Sequence, residues 1–339
     1  MLSKQKVGIL GATGYTGLEL VRLLLRHPAV SLQWITSENS AGKKLSTVSN
    51  SRCDLDLITT NAALQSEPVD FVFVCLPHTE AMAVIPRLLQ SGSRVIDLSA
   101  DFRIKAADSY QDWYGHKHTA PELLATAVYG LSELRTPEIA ATQLLANPGC
   151  YPTSVLLPLL PIVSAGVKLK KIIIDSKSSI SGAGRSAKVG SLFCEVNENF
   201  YPYAIGRKHR HVAEIEEQLS LAANQSVSVT FSPHVVPINR GILSTIYLES
   251  VNALTPEDVH SIWNQVYLKS KFVQVLDGDR LPSVSACAGS NLCQIAVTAI
   301  DSNNLIITSA IDNLLKGASG QALQNFNIMA GYPEDTALI

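Results

Sequence analysis

Short apolar runs alternate with amphipathic stretches along the chain up to residue 150. The runs have the length of strands and are rich in Val, Ile and Leu, whereas residues 18–25 and 81–89 between them place apolar side chains at helical spacing. Alternation of this kind predicts a doubly wound parallel sheet with helices on both faces. The predicted strands are residues 7–10, 31–36, 69–77, 94–98 and 143–146.

The pattern changes after residue 150, where the predicted strands become longer. They indicate a second domain built on a sheet of mixed, largely antiparallel strands. The last part of the chain, residues 312–330, is predicted to be helical with breaks at Gly317 and Gly320. We therefore expect an α/β protein of two domains. The predicted strands of the second domain are residues 171–175, 226–231, 241–248, 292–297 and 305–310.

Composition and charge exclude several classes of protein. The chain has 339 residues, 46% hydrophobic and 17% charged, with a net charge of −2, so nothing favours nucleic acid or an anionic membrane as a partner. No apolar run approaches a membrane span, and the short polar start predicts no signal peptide and a cytoplasmic location. The six cysteines are scattered without zinc-site spacing, which indicates reduced thiols and no metal site.

A cysteine with a specific setting lies in residues 147–153, Asn-Pro-Gly-Cys-Tyr-Pro-Thr. Cys150 follows a Pro-Gly turn and precedes an apolar run that can be helical, although Pro158 is expected to interrupt that helix. A helix N-terminus favours an anion, so a thiol placed there has a lowered pKa and is a nucleophile. The alternative is a buried structural cysteine at a turn.

A glycine turn joins the first predicted strand to the first helix. Gly11, Gly14 and Gly17 have the spacing GxxGxxG in a strand–turn–helix context, which favours dinucleotide binding over a merely structural turn. An enzyme that uses NAD usually has an acidic residue about 20 positions further on, to bind the ribose 2′-hydroxyl. Ser37 occupies that slot and Lys43 follows, so NADP is favoured, although the neighbouring Glu38 argues for NAD.

Two further segments carry candidate chemistry, each with a plain structural alternative. Residues 181–185, Ser-Gly-Ala-Gly-Arg, either line a flat cofactor ring or form a flexible connection. In residues 206–215, His211 and Glu214 are three apart, so a carboxylate can orient an imidazole for acid–base work; the alternative is a solvated basic face. Arg103, after the strand at 94–98, is either a carboxylate or phosphate clamp or a surface arginine. Together these features suggest hydride transfer through a cysteine thioester.

Several motifs resemble the N-acetyl-gamma-glutamyl-phosphate reductase family of arginine biosynthesis, part of the aspartate-semialdehyde dehydrogenase-like superfamily. The resemblance extends in order over essentially the whole chain, and the block at 147–153 is its most specific part. The motifs are residues 11–17, 97–103, 127–131, 147–153, 181–185, 208–211 and 312–318.

The resemblance implies a Rossmann-type NADP-binding domain of residues 1–149 plus 312–339, and an α+β catalytic and dimerisation domain of residues 150–311. It also implies NADPH as the cofactor, a small-molecule acyl phosphate as the substrate, and a homodimer or homotetramer. By motif position His211 is the acid/base, with His209 as the alternative. The residues and the resemblance together predict Cys150 and His211 as catalytic; Arg103, His209, Arg207 and Asn147 as substrate contacts; Glu214 as the orienting carboxylate; and Gly11, Thr13, Gly14, Tyr15, Thr16, Gly17, Ser37, Lys43, Ser181, Gly182, Gly184 and Asn313 as cofactor contacts.

Two other functions stay open at the level of sequence. Aspartate-semialdehyde dehydrogenase shares the chemistry and the fold, and is disfavoured by the Pro-Gly-Cys-Tyr setting and by the paired histidines after Gly206. A redox regulator that binds NADP without turnover would need the glycine turn but not Cys150 and the basic segment together.

Overall fold

The computed structural model describes residues 4–339, which form two compact units. One unit contains the chain up to Pro148 together with Ala318–Ile339, and the other is Gly149–Gly317. The strands are β1 (Gln5–Leu10), β2 (Val30–Thr36), β3 (Leu57–Ile58), β4 (Phe71–Val74), β5 (Arg94–Asp97), β6 (Val128–Tyr129), β7 (Leu144–Ala146), β8 (Leu169–Ser179), β9 (Tyr201–Pro202), β10 (Thr230–Val236), β11 (Ile242–Ser250), β12 (Val273–Val275), β13 (Cys293–Ala299) and β14 (Asn304–Ile311).

Helices lie between many of these strands. The α-helices are α1 (Tyr15–Leu24), α2 (Leu45–Val48), α3 (Thr60–Gln65), α4 (Ala81–Gln90), α5 (Ala107–Tyr114), α6 (Thr136–Ala141), α7 (Cys150–Ser164), α8 (Phe193–Val196), α9 (His211–Ala223), α10 (Pro256–Tyr267), α11 (Val284–Cys287) and α12 (Gly320–Ala330). Within residues 4–339, no helix is both long enough and apolar enough to cross a membrane.

The first unit is built on a parallel sheet with the strand order β3-β2-β1-β4-β5-β7-β6. Every strand pair in it is parallel, and β4 is buried along its whole length, as expected for a strand covered on both faces. The predicted doubly wound sheet is confirmed. The carboxyl ends of its strands deliver the glycine turn after β1 and the residues that follow β5 to one edge of the sheet.

The second unit is built on a mixed sheet with the strand order β12-β13-β14-β11-β8-β10-β9. The β8–β10 and β12–β13 pairs are parallel, and the other four pairs are antiparallel. Side chains along β11 alternate between buried and at least partly exposed, so one face of that strand packs inward against α7. The predicted mixed, largely antiparallel sheet is confirmed, although β10 begins and ends later than the predicted strand at 226–231.

The helix that begins at Cys150 is not interrupted by Pro158, contrary to the sequence expectation. It continues through Pro158 and Pro161 to Ser164, and its side chains are almost entirely buried. A proline lacks the N–H that would bond the carbonyl four residues earlier. For Pro161 that carbonyl belongs to Leu157, and it accepts a hydrogen bond of 2.6 Å from the hydroxyl of Tyr267. Tertiary packing therefore supplies part of the bonding that the prolines remove.

The C-terminal segment also differs from its prediction. Residues 312–314 are not helical, residues Leu315–Ser319 form a π-helical turn, and α12 begins only at Gly320. Residues 312–317 group with the second unit by their contacts. The assignment of cofactor binding to 1–149 plus 312–339 and of catalysis to 150–311 stays a prediction.

Candidate active site

The nucleophile candidate occupies the first position of α7. Gly149 is the N-cap, with extended backbone angles, and Cys150 is the first helical residue. The side-chain carboxylate of Glu214, which is fully buried, accepts a hydrogen bond of 2.8 Å from the N–H of Gly149. Glu214 lies in the first turn of α9, which packs against α7. The start of the Cys150 helix is thus held by a carboxylate from another helix.

A chain of hydrogen bonds runs from His209 through two tyrosines. His209 Nδ1 accepts from the backbone N–H of His211 over 3.2 Å, so the proton of the neutral ring lies on Nε2. That Nε2 is 3.3 Å from the hydroxyl oxygen of Tyr203, which donates to the hydroxyl of Tyr151 over 3.1 Å. The Tyr151 hydroxyl ends the chain by donating to the carbonyl of His234 over 3.3 Å.

Burial sets the protonation states of the histidine and the two tyrosines in this series of hydrogen bonds. It lowers the pKa of His209 to about 4, and the positive charge of Arg210 acts in the same direction. Burial also raises the pKa of Tyr203 to about 12 and that of Tyr151 further above its ordinary value. At neutral pH the imidazole of His209 is therefore uncharged, and both tyrosines keep their protons.

His211 lies beside this chain as the first residue of α9. Its ring centroid is 4.8 Å from that of His209 and 6.0 Å from that of Tyr151, and the residue is half-buried. Because Tyr151 directly follows the nucleophile candidate, these ring contacts bring His211 to the start of α7. The orientation of His211 by Glu214 stays a prediction, and that carboxylate accepts a hydrogen bond from Gly149.

Arg207, a predicted substrate contact, forms a bidentate ion pair. Its Nη1 and Nη2 donate to the two carboxylate oxygens of Glu216 over 2.6 and 2.8 Å. Glu216 also accepts from the N–H of Val229. Arg207 has a left-handed backbone angle, φ +65°, in the loop that leads to His209. The guanidinium therefore ties this loop to α9.

Asn313, a predicted cofactor contact, uses its amide within the second unit. Its Oδ1 accepts from Ser179 Oγ and from the N–H of Gly241, and its Nδ2 donates to Ser181 Oγ over 2.9 Å. These bonds fix the start of the loop that continues through Gly182 to Gly184, and both of those glycines are exposed. Asn313 thus positions the loop that was predicted to line the cofactor.

The glycine turn of the first unit has two packed glycines and one that lies beside open space. A Cβ on Gly11 would lie 2.6 Å from a backbone oxygen of Cys75, and one on Gly17 would lie 2.4 Å from the oxygen of Gly11. A Cβ on Gly14, the N-cap of α1, would meet no atom nearer than 3.8 Å. The first turn of α1 carries no acidic residue. The turn therefore leaves room for an anionic group at this helix start.

The predicted ribose slot is also well defined in the first unit. Ser37 is buried, and its hydroxyl lies 3.0 Å from that of Thr13. The carboxylate of Glu38 accepts from the N–H of Thr60 over 2.8 Å, and this backbone hydrogen bond lowers its pKa. Glu38 is thus engaged at the start of α3. Lys43 is exposed nearby in sequence. The remaining predicted cofactor residues Tyr15 and Thr16 begin α1.

Arg103 and Asn147, predicted as substrate contacts, are almost fully buried. Arg103 donates from Nε to the carbonyl of Asn147 over 2.8 Å and from Nη2 to that of Leu98 over 2.9 Å. The Asn147 amide donates to the carbonyl of Ala318 and accepts from Asn325. The alternative of a surface arginine is excluded, and both side chains brace the segment that leads out of β7.

Sequence reasoning missed a buried carboxylate pair at the end of β5. Asp97 accepts twice from Ser99, and burial raises the pKa of Asp97 to about 7, with the charge of Asp101 adding to the rise. Asp101 accepts from the Tyr110 hydroxyl and from the N–H of Thr79. Tyr151 and Tyr203 were also missed as site residues. Tyr151 lies inside the 147–153 motif, which was the one available signal.

Family models assign both parts of the chain to one class of protein. Residues 6–142 match the NAD-binding domain of semialdehyde dehydrogenases, and residues 150–313 match their dimerisation domain. The parallel sheet with its glycine turn and the cysteine–histidine site thus define an oxidoreductase of the semialdehyde dehydrogenase class.

The relatives with high identity narrow the class. The chain is 50% identical over 338 residues to N-acetyl-gamma-glutamyl-phosphate reductase of Citrifermentans bemidjiense, covering 98% of this chain and 97% of that one. It is 49% identical over 339 residues, with the same shares covered, to the reductase of Desulfotalea psychrophila. The chain belongs to the N-acetyl-gamma-glutamyl-phosphate reductase family.

Solved structures support the fold independently. Aspartate semialdehyde dehydrogenase II of Vibrio cholerae, solved in complex with ASA, superposes with a TM-score of 0.75 at 19% identity, covering 97% of this chain and 99% of that one. The Candida albicans aspartate semialdehyde dehydrogenase with NADP gives a TM-score of 0.73 at 17% identity, with the same shares covered. At such identities the likeness concerns the fold alone.

Proposed function

We propose that this protein reduces N-acetyl-gamma-glutamyl phosphate to N-acetylglutamate semialdehyde with NADPH, releasing phosphate, as a step of arginine biosynthesis. The observation that carries the proposal is the position of Cys150, first in a buried helix whose preceding N–H is held by Glu214. Relatives at 50% identity across the chain are named for this reaction.

Cys150 supplies the nucleophile in this mechanism. Its thiolate attacks the acyl carbon of the substrate, a C–S bond forms, and phosphate leaves with the electron pair of the broken C–O bond. The N-terminus of α7 favours the anionic sulfur, because the positive end of the helix dipole lies there. Glu214 keeps that helix start in place from the neighbouring helix.

His211 transfers the proton to and from the oxygen of the tetrahedral hemithioacetal. This imidazole protonates the oxygen as the carbonyl is reduced, and then removes that proton when the aldehyde is released and the thiolate re-forms. His209 is less suited to this task, because its Nδ1 accepts the His211 N–H and its pKa is lowered to about 4. We therefore assign His209 and Tyr203 to holding the loop, and His211 to the proton transfer.

The residues of the first unit fit the nicotinamide cofactor. NADPH supplies the hydride when it is bound. Gly14 leaves open space at the start of α1, where a side chain would fill the place of the pyrophosphate. Glu38 is engaged with Thr60, and this favours a 2′-phosphate beside Ser37 and Lys43 over a 2′-hydroxyl bound to an acidic residue.

Three residues predicted to contact the substrate form hydrogen bonds with other protein groups. Arg103, Asn147 and Arg207 all bond to protein groups, so we assign them to positioning the segments that lead to Cys150 and His209. His209 is uncharged at neutral pH, so any contact it makes with the anionic substrate is a hydrogen bond without a positive charge.

The reverse reaction tests the proposal directly. We would measure phosphate-dependent reduction of NADP with N-acetylglutamate semialdehyde and with aspartate semialdehyde, using Cys150→Ser as the blank. We expect turnover with the first aldehyde at a kcat/KM at least about 100-fold above the second. A preference for aspartate semialdehyde would identify an aspartate-semialdehyde dehydrogenase instead. Binding of NADP without turnover of either aldehyde would identify a non-catalytic regulator.

The proposal includes a homodimer or homotetramer that works in the cytoplasm. The second unit matches a dimerisation domain, and one segment of it exposes several large apolar side chains, which supports self-association. Light scattering coupled to gel filtration should give the mass of two or four chains, and a monomer at micromolar concentration would contradict this part. The exposed apolar residues are Val189, Leu192, Phe193, Phe200 and Ile205.

A further inference from the structure

A glycine packs directly against the nucleophile candidate. A Cβ placed on Gly317 would lie 2.7 Å from the Cβ of Cys150 and 3.2 Å from its Cα. Separations under 3.0 Å are not adopted by real Cβ atoms, so a side chain at position 317 would force one of the two segments to move. The same Cβ would lie 3.3 Å from Cδ1 of Ile311, which is also a tight contact.

The backbone that carries Gly317 is held in an unusual turn. Gly317 lies in the π-helical turn Leu315–Ser319, and its N–H donates to the carbonyl of Asp312, five residues earlier, over 2.9 Å. π-Helical turns are rare in proteins as a whole, and those that occur are often found at functional sites. Here the wider turn brings a residue without a side chain against Cys150.

Asp312 anchors this turn from inside the second unit. It is fully buried, and its Oδ1 accepts from the N–H groups of Leu314 and Leu315 over 2.8 and 3.0 Å. Its Oδ2 accepts from the N–H of Gly289 over 2.8 Å. The side chain of Lys316 is also fully buried, so the backbone that leads into Gly317 is fixed.

We propose that Gly317 is a positioning residue for the nucleophile: the anchored turn at 315–319 is the support against which Cys150 is set, and only glycine lets Cys150 occupy that place. The inference rests on the proposed role of Cys150. A displacement of about 1 Å at a reacting atom can cost a factor of 10² in rate, whereas the binding of substrate and cofactor elsewhere need not change.

Kinetics of Gly317→Ala give the first test. We expect kcat to fall by about 10–100-fold with KM within about threefold, and the rate of Cys150 alkylation by iodoacetamide to fall as well. The matched control is Gly190→Ala in the same unit, where a Cβ meets nothing within 4 Å and φ is not positive, so kcat should stay normal. A normal kcat and a normal alkylation rate in folded Gly317→Ala would overturn the proposal.

A thermal double-mutant cycle gives a second test that needs no turnover. Gly317→Ala should lower Tm by about 5 °C when Cys150 is present, and by much less in a Cys150→Gly background, where the opposing Cβ is gone. Folding of the double variant when Gly317→Ala alone fails to fold supports the contact equally. Equal losses of Tm in both backgrounds, or failure to fold in both, would refute it. Neither result depends on whether Cys150 forms a thioester, which the Cys150→Ser assay decides separately.

Discussion

The carboxylate of Glu214 accepts a hydrogen bond of 2.8 Å from the backbone N–H of Gly149, 65 residues earlier in the chain. The bond joins the first turn of α9 to the N-cap of α7, so the helix that carries His211 also fixes the helix that begins at Cys150. A single buried carboxylate thereby couples the positions of the nucleophile and the acid/base candidate.

Glu214→Gln should damage both stability and turnover. The glutamine would place either its amide NH2 or its uncharged oxygen opposite the Gly149 N–H. In both cases the hydrogen bond to a charged acceptor is lost, and such a bond contributes about 1.5–3 kcal/mol. We expect the free energy of unfolding to fall by about that amount and kcat to fall with it. Urea denaturation and steady-state kinetics measure the two effects.

The control for this variant is Glu198→Gln in the same unit, which removes one negative charge at an exposed position. It should change the unfolding free energy by less than about 0.5 kcal/mol. If Glu214→Gln were as stable and as active as Glu198→Gln, the bond to Gly149 would have no structural role.

Cys150→Ser should retain the fold and NADPH binding but lose nearly all turnover, because a serine hydroxyl is largely protonated at neutral pH. Iodoacetamide should modify Cys150 faster than Cys75 or Cys287, since burial raises the pKa of those two thiols to about 12 and about 11. Mass spectrometry of partially alkylated protein measures the order. Cys194 is exposed, and Cys194→Ser serves as the control that should keep full activity. Wild-type turnover by the Cys150→Ser variant would rule out covalent catalysis.

The assignment of NADPH as the cofactor predicts variants that lose affinity for NADPH but not for NADH. Lys43→Ala and Ser37→Glu should each weaken NADPH binding by about 1.5–3 kcal/mol, because each removes or opposes a charge-assisted phosphate contact. NADH binding should hardly change. Fluorescence titration with both cofactors measures the losses, and Lys168→Ala, at an exposed lysine of the second unit, gives the baseline for removal of a charge. Equal losses for both cofactors would contradict the 2′-phosphate assignment.

Local pattern predicted the features that depend on neighbouring residues. Apolar periodicity located β1, β5 and β14, and the Pro-Gly-Cys sequence located the start of α7, because strand burial and helix starts are encoded within a few positions. The same local logic failed at Pro158. The bonds that support this helix come from Tyr267 and Trp263, about a hundred residues away, and no pattern around Pro158 indicates them.

Pairings between distant residues were the part that the sequence could not supply. Helical spacing predicted that Glu214 would orient His211, which stays a prediction, but no local pattern indicated the hydrogen bond that Glu214 accepts from Gly149. Arg207 was predicted to contact the substrate because it is a cation beside two histidines, and nothing in the sequence indicated the two hydrogen bonds that it donates to Glu216. Gly317 was noted as a helix break and as part of the motif at 312–318, but its contact with Cys150 required the tertiary structure.

Replacement of His211 and replacement of His209 should have different effects on kcat. His211→Asn should lower kcat by about 10²–10⁴-fold and leave KM within a few-fold, because proton transfer by a positioned imidazole contributes a factor of that size. His209→Asn should cost less in kcat, since it loosens the support of His211 without removing the base. Tyr203→Phe is the matched variant that breaks the same hydrogen-bond chain and keeps the ring, and it should resemble His209→Asn. Circular dichroism checks the folding of all three. A large loss of kcat in His209→Asn beside a nearly normal His211→Asn would reverse the assignment.

The lowered pKa of His209 makes stability depend on pH in a defined direction. The side chain titrates near 6.5 in the unfolded chain and at about 4 in the folded protein, so between these values the unfolded state binds more protons. The stability that this pKa shift contributes is therefore fully present above pH 6.5 and is lost as the pH falls towards 4.

In His209→Gln, the difference in unfolding free energy between pH 7 and pH 4.5 should shrink by up to about 3 kcal/mol. Burial also lowers the pKa of His27 and His118, but both residues are present in each protein and cancel in the comparison. Urea denaturation at the two pH values measures the difference, and removal of the exposed His116 by His116→Gln gives the baseline. An unchanged pH dependence in His209→Gln would show that this imidazole is not held neutral by its burial among Tyr151, Tyr203 and Phe231.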